Sequence, residues 1–113
     1  MSVEQDVRKI FEKLPDVFVP ERAGDLKATI QVVLSGEGAS SWVIKINDGT
    51  LTANEGQTQN PDMTLRMEAK DYVDLTLGRV NPLMLFKDGK IKTEGNMGLA
   101  LKFPMIFDRS RVE

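Results

Sequence analysis

Two residue types that carry much of protein chemistry are missing from this chain: it has no cysteine and no histidine. Without cysteine there are no disulfides, no thiol nucleophile and no thiolate-bound zinc. Without histidine the usual general base, the Ser-His and Cys-His nucleophile pairs and the commonest metal ligand go as well. Catalysis would be left to carboxylates, lysines, hydroxyls and one tyrosine, Tyr72. Long apolar runs are also lacking, and nothing approaches the ~18 consecutive residues of a membrane-spanning helix. The opening stretch MSVEQDVRKIFEK is charged from its fourth residue and has no apolar core of the secretory kind. The glycines at 36, 38, 49, 78, 89, 95 and 98 all read as turns or caps, and none builds a phosphate loop. A reducing compartment, the cytoplasm, is the expected location.

What is present is an ordinary globular composition, 41% hydrophobic and 28% charged over 113 residues, read as a single domain spanning 1–113. Such a chain buries roughly 65% of the surface it exposes when unfolded. The net charge of −2 hides an asymmetry. Residues 1–78 carry 8 Lys/Arg against 13 Asp/Glu, and residues 79–113 carry 7 against 4, giving −5 and +3. That pattern argues against nucleic acid, which calls for a strongly basic face with aromatics. It mildly suits the C-terminal third to transient contact with an anionic membrane surface, but a solvated surface with chance clustering is the readier explanation.

Along the chain, Ser2 with Gln5 has capping-box spacing, and Val3, Val7, Ile10, Phe11 and Leu14 form one helical stripe that Pro15 is expected to end. DVFVPERAGD is a connector with room for a helical turn after Pro20. The period then switches to two. Leu26, Ala28, Ile30, Val32 and Leu34 share a strand face, as do Trp42, Ile44 and Ile46. Asp48-Gly49 signals a hairpin into a third strand at Leu51 to Asn54, and Met63, Leu65 and Met67 alternate in a fourth. These four are expected to form an antiparallel meander. Lys70 to Leu77 follows as a short helix, then Asn81-Pro82 opens another over Leu83 to Lys87. Lys90 to Glu94 is a fifth strand, and Asn96 caps a last helix that Pro104 must kink or stop. One five-stranded antiparallel sheet with helices on one face makes an α+β fold.

The apolar inventory is skewed toward the end. Met63, Met67, Met84, Met97 and Met105 all follow residue 60, beside Phe86, Phe103 and Phe107. Methionine fills irregular space and adapts to varied apolar partners, so this cluster suggests an apolar slot between sheet and helices. Taken singly, each of these residues reads first as core, and the slot rests on the cluster and not on any one member. Asp71 and Asp74, three apart on a helix, read as a solvated face rather than a catalytic pair. No cofactor or metal motif appears, and an enzyme is not expected.

Trp42-x-Ile-x-Ile, Asp48-Gly49, NPDMTLRM and DYVDLTLGRVNPLMLFKDGKIKTEGNMGLALK, in that order and spacing, resemble the sterol carrier protein 2 family from about Phe11 to Lys102. The resemblance implies a five-stranded antiparallel sheet with helices on one side, enclosing a hydrophobic tunnel. That tunnel takes fatty acids, fatty acyl-CoA, sterols or phospholipids, without catalysis. Carried over, the strand tryptophan is Trp42, the short-helix positions are Val80, Met84 and Leu85, and the terminal-helix positions are Leu99, Leu101 and Phe103. With Ile44, Leu65, Met67, Met105 and Phe107 these form the expected lining, and Pro104 is expected to shape its end. A lipid-carrying protein, monomeric or a weak homodimer, is the leading expectation. The alternative is an interaction module whose apolar C-terminal helix docks on a partner enzyme or a second subunit.

Overall fold

The computed structural model describes residues 2–108. Its first element, α1 (Val3–Val17), is capped by the Ser2 hydroxyl, which accepts from the Gln5 N–H at 3.2 Å. Val7, Phe11 and Leu14 form its buried stripe. The helix does not stop at Pro15. Proline gives up its own N–H and crowds the carbonyl four residues back, but the Phe18 N–H still reaches the Leu14 carbonyl at 3.1 Å and Phe18 itself is buried. The expected turn after Pro20 is α2 (Pro20–Ala23).

The strands are β1 (Ala28–Ser35), β2 (Ser40–Asn47), β3 (Thr50–Glu55), β4 (Met63–Glu68) and β5 (Lys92–Gly95). The first begins two residues later than its alternation suggests, and β5 starts and ends later than Lys90 to Glu94. Asp48 and Gly49 both take positive φ at the β2–β3 turn, as a tight hairpin requires. The sheet order is β3-β2-β1-β4-β5. Three of its pairings are antiparallel, but β1 pairs β4 in parallel, with Ile30 opposite Met63 and Leu34 opposite Met67. The sheet is therefore mixed, where a wholly antiparallel meander was expected.

One polar side chain fastens the crossover that this pairing requires. Gln31 is buried on the sheet face away from Ile30 and Val32. Its amide donates to the carbonyls of Trp42 and Gly56, both at 3.1 Å, and its Oε1 accepts from the Thr58 N–H at 2.8 Å. Residues 56–62 are thereby carried across the back of the sheet instead of turning into a hairpin. Asp62 completes the landing beside β1, accepting from the Thr29 N–H at 2.7 Å and donating its own N–H to the Thr29 carbonyl at 2.8 Å.

Helices α3 (Ala69–Thr76), α4 (Pro82–Lys87) and α5 (Met97–Lys102) follow, and a 3-10 turn at Phe103–Ile106 is the last helical element described. Asn81 and Asn96 cap α4 and α5, each accepting one backbone N–H, as their positions before apolar runs imply. Pro104 marks where the α-helix gives way to the 3-10 turn. The core lies between one sheet face and the helices: Ile30, Val32, Ile44, Ile46 and Met63 from the sheet meet Val7, Phe11 and Ile106. Gly95, at φ +94°, is required by a close approach, since a Cβ there would stand 2.5 Å from the Asp62 carbonyl oxygen.

Candidate functional site

Period-two alternation aims Trp42, Ile44, Leu65 and Met67 at the helices, and all four are buried. At one end of this layer three aromatic rings stack. The Phe11 ring lies on Trp42 at 4.4 Å between centroids and 9° between planes, and on Tyr72 at 5.3 Å and 10°. Such stacked rings add about 0.5–1.5 kcal/mol per pair beyond burial itself. The Trp42 indole N–H donates to the Ser40 hydroxyl at 2.9 Å, so its polar end is satisfied. Above the ring sits the Arg8 guanidinium, 5.9 Å from the centroid and paired with Glu55 at 3.1 Å. Burial pushes the Tyr72 phenol well above its ordinary pKa, keeping it neutral.

The opposite end is built from the C-terminal pieces. Leu85 from α4 and Leu99 from α5 are buried, and Ile91 joins them. Val80, Phe103 and Phe107 are half-buried against this cluster. Phe107 meets Phe103 edge-on at 5.1 Å and Phe18 at 6.2 Å. An antiparallel bridge between Phe18 and Phe107 ties residues 106–108 to the segment after α1, with the Val19 N–H on the Ile106 carbonyl at 2.8 Å and the Asp108 N–H on the Val17 carbonyl at 2.7 Å.

Met84 and Met105 stand apart from the rest of the expected lining: they are 54% and 68% exposed. The side chains of Leu101 and Pro104 lie outside the described residues. Beside Leu99 an open groove of about 300 Å³ runs between the start of β1 and α5, bordered by Leu26, Lys27, Asp62, Asn96 and Lys102. Asp74 is engaged by Arg79 at 3.4 Å, which accounts for one member of the Asp71/Asp74 pair.

Sequence reasoning missed Phe11, Tyr72, Phe18 and Ile106 as neighbours of the lining. The helical stripe placed Phe11 on a buried face, and Tyr72 fell on the apolar side of its short helix. Which strand residue they would stack on is a matter of helix placement, and no periodicity carries it.

Comparison with known proteins places this architecture. The profile described as the SCP-2 sterol transfer family matches residues 8–108. Hydroxysteroid dehydrogenase-like protein 2 of Xenopus tropicalis is 29% identical over 101 residues, 88% of this chain and 24% of that protein. Sterol carrier protein 2 of Homo sapiens is 30% identical over 100 residues, again 88% of this chain and 18% of that protein. This chain thus spans about a fifth to a quarter of the length of these curated relatives. Among solved structures, palmitated SCP2L2 from Aedes aegypti superposes with a TM-score of 0.72 at 22% identity, over 91% of both chains, which shows the shared fold.

Proposed function

Because this chain belongs to the SCP-2 sterol transfer family, a lipid-handling family, we propose that it is a non-catalytic carrier in which an acyl chain or sterol lies between the sheet and the helices. The observation that carries this reading is the continuous apolar layer from Trp42 through Ile44, Leu65 and Met67 to Leu85, Leu99, Phe103 and Phe107. It carries the ring stack at the Trp42 end and is bounded at the other by helices of only six residues each. Helices this short have little stability of their own. Parting α4 and α5 from the sheet admits the chain, with Val80, Met84 and Met105 at the entrance. The palmitate of the mosquito protein is a ligand of the fitting kind. Burial contributes about 0.8 kcal/mol per methylene, so ten or so methylenes supply about 8 kcal/mol, from which association costs of about 4 kcal/mol or more are subtracted.

Lipid extraction of the purified protein with mass spectrometry, joined to a palmitate titration followed by Trp42 fluorescence, tests the proposal. A co-purifying lipid and a saturable Trp42 response are expected. No lipid in the extract together with a flat titration rejects it.

A further inference from the structure

The short helix α4 is apolar almost throughout, yet it turns most of that surface outward. Among its described side chains only Leu85 is buried, whereas Leu83 is 76% exposed and Met84 and Phe86 are each about half exposed. Leu77, just before it, and Met97, at the start of α5, are exposed as well. The Met97 sulfur accepts from the Thr93 hydroxyl of β5 at 3.6 Å. A contiguous apolar helix face is rarely left in water without a partner.

Charge identifies that partner. Lys87 ends α4 and Lys90 follows one turn later, both exposed and without an ion pair among the described residues. Asp88 is the sole acid between residues 75 and 93, while residues 1–78 carry the excess of −5. A second copy seated on α4 would bring Lys87 and Lys90 of both chains into one interface with Asp88 as the sole nearby acid on each side, since a two-fold contact uses the same patch twice. An anionic bilayer does the opposite: it attracts the lysines, receives the apolar side chains and repels the acidic body of the molecule, fixing one orientation.

We propose that α4, with Leu83 and Phe86 as apolar anchors and Lys87 and Lys90 as the basic rim, is a docking surface for anionic membranes. The surface goes beyond the ligand reading and does not depend on it. The lysine stems lie along the interface and their ammonium groups reach the head groups. Because the helix is only six residues long, it lies in the plane of the interface and does not insert.

The test is flotation of the full chain with vesicles of phosphatidylcholine alone and of phosphatidylcholine mixed with phosphatidylserine. Binding is expected only to the mixed vesicles and is weakened by salt. Lys87→Gln with Lys90→Gln weakens it roughly 25-fold at low salt, about five-fold per charge. Leu83→Ser with Phe86→Ser weakens it about ten-fold or more. Circular dichroism and thermal melting of both double variants check that the fold is kept. Failure of the wild-type chain to float with the mixed vesicles overturns the proposal, as does unchanged flotation of the Leu83/Phe86 variant. A dimer in sedimentation that this variant dissolves also overturns it, assigning the face to a second copy. Palmitate titration of the Lys87/Lys90 variant is expected to match wild type. A chain that floats but binds no palmitate keeps the docking surface and loses only the carrier reading.

Discussion

Residues 3–76 and residues 77–107 draw on similar apolar side chains and place them in opposite ways. In the first region lie Val7, Phe11, Ile30, Val32, Ile44, Ile46 and Met63, seven of the eight largest fully buried side chains, with Ile106 the exception. In the second lie Leu77, Leu83, Met84, Phe86, Met97 and Met105, all the large hydrophobic side chains exposed among the described residues. Element length explains the contrast. A fifteen-residue helix and eight-residue strands present several apolar positions to one plane and pin one another. A six-residue helix turns fewer than two times, so it can set one residue, such as Leu85, into the core while its neighbours face out. The first region therefore forms the wall of the core, and the second a set of short covers over it.

Four outcomes would break or sharpen this contrast. Phe11→Ala removes the central ring of the Trp42–Phe11–Tyr72 stack and is expected to cost about 3–5 kcal/mol in urea unfolding. A loss no larger than that of an average substitution would mean the wall is as plastic as the covers. Gln31→Ala leaves the Trp42 and Gly56 carbonyls and the Thr58 N–H without the partner that holds them, an expected loss of about 1–3 kcal/mol. Hydrogen exchange should show faster opening of residues 56–62 in that variant. Tyr72 gives a pH test. Its folded pKa is raised by burial above the unfolded value of 10.0, so its contribution is complete below that pH and declines above it. The slope is ~1.4 kcal/mol per pH unit, and Tyr72→Phe should abolish that part of the alkaline decline. Leu83→Ser should be the mildest, within about 0.5 kcal/mol of wild type by thermal melting, although it removes a large apolar side chain. A much larger loss would show that α4 is structural after all.

Much of the candidate site was legible before any coordinates. Period two aimed Trp42, Ile44, Leu65 and Met67 inward, and Ser2, Asn81 and Asn96 cap the helices that their positions foretold. The covers were less legible. In PLMLFK nearly every position is apolar, so no period separates buried Leu85 from exposed Leu83 and Met84. Met105, counted with the lining, faces outward from a 3-10 turn.

By itself the sequence determined the element types, the inward strand faces, the hairpin at Asp48-Gly49 and the chemistry that a chain without cysteine or histidine must do without. These follow from local sterics and from the spacing of apolar residues, both of which act within a few positions. The tertiary structure alone decided that β4 runs parallel to β1, that Phe11 stacks between Trp42 and Tyr72, and that α4 shows its apolar side to solvent. Each of these joins residues far apart in the chain or compares two faces of similar composition. The deciding contacts, such as Gln31 holding Gly56 and Thr58, exist only once the sheet has formed.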